Sequence, residues 1–247
     1  IHFHPPVDKT GDFFLLYGRF FPPKQKKLTS RRREEKLPFG MDYPKTVWRF
    51  IMLGAIIGDI IGSRFEFSSG KTKDFELFNS ASRPTDDSIM TIAVAAACAN
   101  SDIEDEYDFK NNLIKYMREL GRAYPDAGYG ALFYEWLFSD ADYSYGSFGN
   151  GSGMRVSPVA WAAQSLDEAL LLAEWSAEIT HDHPEGIKGA KAIAAAVFLA
   201  RKGKSKDEIR RYIEENFYDL DFTVESVRPG YSFDVTCQGS VPHCLLS

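Results

Sequence analysis

From Val47 onward the apolar residues recur almost everywhere at helical spacing, and runs that alternate apolar and polar at strand length are scarce. A chain patterned this way can bury its apolar stripes only by packing helix on helix. The expected fold class is all-α, a compact orthogonal bundle whose helices cross at varied angles. Helices are predicted over Val47 to Ile61, Asp86 to Ala99, Phe109 to Leu120, Gly130 to Phe138 and Pro184 to Lys202. In the third of these Leu113, Tyr116 and Leu120 fall near one face. Ser165-x-x-Glu168 and Ser205-x-x-Glu208 each match the capping box, and Gly203 sits where a C-terminal cap belongs. In the first helix Gly54, Gly58 and Gly62 recur every fourth position and share a face. That stripe predicts close packing against a neighbour, at a propensity cost of about 1 kcal/mol per glycine. Thr223 to Thr236 is ambiguous between strand and coil, and no internal repeat is visible.

Charge divides the chain unevenly. Residues 1–51 carry 11 Lys/Arg and five Asp/Glu, which leaves 18 basic and 30 acidic residues for the remainder. So acidic a body is ill suited to gripping phosphate backbones, and a nucleic-acid partner is not expected. It suits a metal site or a small-molecule pocket. Residues 1–45, with two P-P pairs and the basic run K-Q-K-K-L-T-S-R-R-R-E-E-K, are expected to form a disordered extension ahead of a domain over 46–247. Met41 and Met52 offer alternative starts. Cys98, Cys237 and Cys244 are an odd count without C-x-x-C spacing, which argues against a disulfide framework or a zinc site and for a reducing compartment. The apolar stretch Phe50 to Ile61 contains Asp59 and falls short of the roughly 20 residues a bilayer span needs. A cytoplasmic protein without membrane contact is expected.

Four short motifs carry candidate chemistry. Thr85-Asp86-Asp87-Ser88 sets four oxygen-bearing side chains at the mouth of an Ala-rich helix. Carboxylates and hydroxyls are hard ligands suited to Mg²⁺ or Mn²⁺; the alternative is an Asp that caps the helix while its neighbour faces water. S-F-G-N-G-S-G-M-R, Ser147 to Arg155, has glycines at alternating positions that would free backbone N–H groups for a diphosphate, aided by the start of the following helix. It matches neither the Walker A spacing nor G-x-G-x-x-G, and a flexible connector is the alternative. In I-T-H-D-H-P-E, Ile179 to Glu185, His181 reads as a substrate-contacting donor and His183 as a solvated or capping residue. In G-S-R-F-E-F, Gly62 to Phe67, apolar neighbours would raise the basicity of Glu66.

Taken in order, G-A-I-I-G-D-I-I-G-S-R-F-E, P-T-D-D-S, S-F-G-N-G-S-G-M-R-V-S-P and T-H-D-H-P-E-G-I-K-G-A resemble the ADP-ribosylglycohydrolase family. The resemblance runs from about Met52 to the last residues. It implies an all-helical domain with a binuclear Mg²⁺ centre in a cleft, Mn²⁺ being an alternative. The implied activity is hydrolysis of the glycosidic bond between ADP-ribose and a protein side chain, or of a related ADP-ribose conjugate. By motif position it makes Thr85, Asp86 and Asp87 metal ligands, and Glu66 and Asp87 catalytic. Ser147, Gly149, Asn150, Gly151 and Met154 become the cradle of the diphosphate and ribose, with His181 a further substrate contact.

The family pattern includes a second acidic element, a Gly-rich D-x-D-[ST] stretch. Here the sequence ends C-Q-G-S-V-P-H-C-L-L-S without one. The expectation is a domain incomplete at its C-terminus, with metal affinity and hydrolysis impaired. A non-catalytic ADP-ribose-binding or structural protein of the same fold is the rival reading, and a nucleic-acid binder using the basic N-terminal run is a third.

Overall fold

The computed structural model describes residues 52–67, 71–141 and 143–247. The basic segment over 1–45 and the part before Met52 of the helix predicted over Val47 to Ile61 lie outside them. Eleven helices and no strands occur among the described residues: α1 Leu53–Gly62, α2 Asp86–Asn100, α3 Glu106–Ala123, α4 Ala131–Phe138, α5 Gly151–Met154, α6 Ser157–Ala162, α7 Leu166–Glu178, α8 Pro184–Arg201, α9 Lys206–Asn216, α10 Val224–Val227 and α11 Cys237–Leu246. The all-α expectation holds.

Helix α2 is the axis of the fold. Every residue from Ser88 to Cys98 is buried, because its alanines and β-branched residues leave no polar face that could be turned to water. It packs against α1, α3 and α6, while α7 and α8 pair beside it. Phe109, Leu113, Met117 and Leu120 of α3 close the core on one side. A second cluster forms where Ala192 and Ala195 of α8 meet Ile213, Leu220, Cys237 and Val241. It seats α9 and α11 against α8.

Local signals explain most helix ends. Ser205 accepts from the Glu208 N–H, and the Glu208 carboxylate returns to the Ser205 N–H, closing the expected box at α9. At α7 the box is incomplete: Ser165 accepts from the Glu168 N–H, but the Glu168 carboxylate takes the N–H of Gln164 instead. Gly203 ends α8 with φ +79°, a left-handed conformation costly for residues with a Cβ. His183 caps α8 by accepting from the Glu185 N–H.

One expectation is corrected and one open stretch is resolved. The glycine stripe of α1 is not a packing face. Among the described residues a Cβ built on Gly54, Gly58 or Gly62 would meet nothing within 4 Å, and the three residues line an open cleft. The ambiguous stretch before α11 forms no strand. It holds the one-turn α10 and a single antiparallel bridge between Gly149 and Thr236.

Candidate active site

Segments distant in sequence meet at a cleft of about 950 Å³. The glycine face of α1 forms one wall, and Glu66 lies just beyond its end. The first turn of α2 presents Thr85, Asp86 and Asp87, the loop from Ser147 to Met154 forms the opposite wall, and α11 closes one side.

Asp59 organises the acidic end. It projects from α1 toward the start of α2 and accepts from the Thr85 N–H at 2.8 Å, the Thr85 hydroxyl at 2.6 Å and the Ser88 N–H at 3.2 Å. The Ser88 hydroxyl donates to it as well. Two of these donors are N–H groups of the first turn of α2, which has no intrahelical acceptors for them. The carboxylate therefore serves as an N-terminal cap supplied from another helix. Thr85 is itself the N-cap residue; its Oγ1 accepts from the Asp87 N–H at 3.3 Å and lies 3.2 Å from Asp87 Oδ2. Sequence reasoning missed Asp59. Its signal was a lone acid inside an otherwise apolar run.

Burial and mutual repulsion raise the proton affinity of this end. The Asp86 carboxyl is pushed up to about 7, first by burial and then by Asp87, Glu66 and Asp59. Asp87 is pushed up to about 6 by burial and Asp59, against the stabilising bond from Thr85. Glu66 is raised by burial and then by Asp59, with Arg83 opposing. Carboxylates in this state welcome a cation or a proton. The side chains of Thr85, Asp86 and Asp87 offer hard oxygen donors of the kind that fits a divalent ion. Among the described residues no group of three or more His, Cys, Asp or Glu converges into a cage able to hold one.

The glycine loop is built differently from the expectation. At least four of its N–H groups are used within the protein: Gly149 donates to Ser147 Oγ at 3.1 Å, Asn150 to the Val235 carbonyl at 2.7 Å, and Gly153 and Met154 to the Asn150 carbonyl at 2.9 Å. Helix α5 is a single turn. None of Gly149, Gly151 and Gly153 has positive φ, so backbone freedom is not why Gly151 is glycine. The reason is room. A Cβ on Gly151 would lie 2.9 Å from His181 Nε2, whereas one on Gly149 would make an ordinary 3.5 Å contact with the same atom and meet Ser147 Oγ at 3.2 Å. The loop thus rests on the imidazole. The Asn150 side chain donates to Ser240 of α11 at 3.1 Å, and the Met154 carbonyl accepts from Thr91 at 3.5 Å.

His181 is 5% exposed. Its Nδ1 lies 2.7 Å from Thr180 Oγ1, and burial, with Arg155 second, holds its pKa well below the ordinary histidine value. The next two residues have other work. Asp182 accepts from the Gly146 N–H at 2.8 Å, and His183 is the α8 cap. The glycines that follow allow a close approach: a Cβ on Gly186 would be 2.7 Å from the carbonyl oxygens of both His181 and Ser147. Glu66, Thr85, Asp86, Asp87, Ser147, Gly149, Asn150, Gly151 and Met154 thus line one cleft, while His181 lies buried behind Gly151 rather than on its wall, with Asp59, Arg155 and Thr180 added by the structure.

A sequence model of the ADP-ribosylglycohydrolase family matches residues 49–235. ADP-ribosylhydrolase ARH3 of Homo sapiens is 28% identical over 216 residues, which cover 73% of this chain and 57% of the human protein. ARH3 of Xenopus tropicalis is 29% identical over 187 residues, covering 65% of this chain and 52% of that protein. ADP-ribosylarginine hydrolase Tri1 of Pseudomonas putida (strain GB-1) is 26% identical over 179 residues, covering 64% and 47% respectively. The chain spans about half the length of the curated relatives it matches. No described helix is long and apolar enough to cross a membrane. The family match spans the α1 acid, the first turn of α2, the glycine loop and His181, and by it the chain belongs to the ADP-ribosylglycohydrolase family.

Proposed function

We propose that the cleft binds the ADP-ribose part of an ADP-ribosylated protein or small conjugate and that the chain hydrolyses its glycosidic bond. The observation that carries this reading is the convergence on one cleft of Glu66, the Thr85–Asp87 turn and the glycine loop over His181. The names of the relatives, an ADP-ribosylhydrolase and an ADP-ribosylarginine hydrolase, support the substrate class.

In this reading the loop from Ser147 to Met154 and His181 hold the diphosphate and the ribose next to it. Binding energy from that remote part then orients C1″ at the acidic end. Glu66, whose basicity is raised by its partly buried position, takes a proton from the attacking water as the C1″ bond to the side-chain oxygen or nitrogen breaks. The departing atom keeps the bonding pair, through an oxocarbenium-like transition state. Asp87 faces the same reacting centre. Thr85, Asp86 and Asp87 would hold Mg²⁺, or Mn²⁺ in its place, and the ion when bound supplies positive charge that orients ribose hydroxyls and polarises water.

A second reading follows from the acid count. Because no group of three or more His, Cys, Asp or Glu converges among the described residues, a weakly metal-binding chain would keep the ADP-ribose cradle while hydrolysing poorly. Calorimetry with ADP-ribose, with and without Mg²⁺, combined with mass spectrometry of serine- and arginine-ADP-ribosylated peptides, separates the two. Mg²⁺-dependent release of ADP-ribose supports the hydrolase. Binding that ignores Mg²⁺, without release, supports the cradle alone. Absence of any ADP-ribose binding refutes both.

A further inference from the structure

We propose that Arg155 and Thr180 are positioning residues that hold His181 as a neutral imidazole protonated on Nε2, so that a fixed N–H faces the glycine loop. The role of that N–H in ligand binding rests on the ADP-ribose reading above; the protonation pattern itself does not.

Arg155 follows α5 and is fully buried. Its Nη2 donates to the Ser176 carbonyl at 2.8 Å and to Thr180 Oγ1 at 2.9 Å. Nε and Nη1 have no hydrogen-bond partner among the described residues. A buried guanidinium left half-paired costs stability, so the two bonds it does make carry its place in the fold. Burial lowers its pKa only to about 10, and it stays charged at neutral pH.

A guanidinium has donors and no acceptor, so Thr180 Oγ1 must accept from it. Burial pushes the phenol of Tyr145, which interacts with Thr180, up to about 12, so it keeps its proton and can give it to the second Thr180 lone pair. With both lone pairs so used, the hydroxyl proton of Thr180 goes to His181 Nδ1 at 2.7 Å, closer to Oγ1 than the Arg155 nitrogen at 2.9 Å. An imidazole that accepts at Nδ1 and is kept neutral carries its proton on Nε2. That nitrogen lies 2.9 Å and 3.5 Å from the sites that Cβ atoms on Gly151 and Gly149 would take. The two glycines line the cleft, so the donor is aimed at the loop proposed to cradle the ligand.

Long-range ¹H–¹⁵N correlation spectra of the ligand-free chain labelled at histidine test this directly, with the His181 signals assigned by their loss in His181→Asn. A protonated Nε2 and an unprotonated Nδ1 are expected. The reverse pattern overturns the proposal, since Thr180 would then be giving its proton to Tyr145. Thr180→Val removes the relay and should shift His181 toward the other tautomer and raise the ADP-ribose Kd about tenfold, the loss of roughly one hydrogen bond. Thr180→Ser should restore the wild-type spectrum and affinity. A Thr180→Val protein that keeps Nε2 protonated also overturns the proposal. If that variant does not fold, the wild-type and Thr180→Ser spectra still decide it. If wild-type chain fails to bind ADP-ribose, the functional reading falls while the spectra still judge the tautomer.

Discussion

Replacing Asp59 should loosen both the start of α2 and the acidic wall of the cleft. The carboxylate accepts four hydrogen bonds, from the N–H and the hydroxyl of Thr85 and of Ser88. Thr85 is 3% exposed and Ser88 1%, so their donors cannot turn to bulk water. A hydrogen bond to a charged acceptor contributes about 1.5–3 kcal/mol net. A simple sum overshoots, because three of the donors share Oδ2 and water from the cleft can enter the gap left by alanine. Relief of repulsion on Asp87 and Glu66 offsets a further part. Asp59→Ala is therefore expected to cost about 2–4 kcal/mol, which lowers Tm by about 4–16 °C in a domain of this size. Asp59→Asn keeps one carbonyl oxygen for the three-donor corner and should fall between wild type and alanine. Both variants should also lower the Asp87 pKa, since Asp59 is the largest charge acting on it. Urea denaturation and carboxyl ¹³C titration measure the two effects. An Asp59→Ala chain that unfolds at the wild-type midpoint would refute the role of Asp59 as the cross-helix cap.

Metal-free chain should be less stable at pH 8 than at pH 5. Asp86 and Asp87 have folded pKa values of about 7 and about 6, above an unfolded value near 3.8, so the native state holds the extra protons and stability drains away as pH rises through that window. The drop should reach at least one pKa unit's worth, about 1.4 kcal/mol, and shrink in Asp86→Asn; a flat urea midpoint between pH 4 and 8 would contradict it. Gly186→Ala should destabilise by about 2–3 kcal/mol, because its Cβ would press on two backbone carbonyls that cannot yield. Gly153→Ala, whose Cβ would meet only ordinary contacts at 3.6 Å and beyond, should be much milder, and equal midpoints would refute the packing argument. Ser205→Ala removes a complete capping box and should cost about 1 kcal/mol, more than Ser165→Ala, where the reciprocal bond is missing.

Several parts of the site were legible in one dimension. The Thr85–Ser88 turn, the glycine loop and His181 stood out because ligand-type residues were crowded into short motifs. The reason for the loop glycines was not legible. Spacing alone suggested backbone freedom, whereas the constraint at Gly151 is the ring of His181, about 30 residues further along. Arg155 lay inside a quoted motif without a role, since its partners Ser176 and Thr180 are 21 and 25 residues away.

The sequence by itself determined the helical class, the bounds of α2, α4 and α8, the starts of α7 and α9, and the order of the cleft motifs. Those depend on periodicity, on caps acting over three or four residues, and on side-chain chemistry that needs no partner to be recognised. Only the tertiary structure decided that the α1 glycines face an open cleft, that Asp59 caps α2 from 26 residues away, and that Arg155 reaches His181 through Thr180. Each of these rests on which faces are brought together when the helices pack, and local spacing carries no information about that.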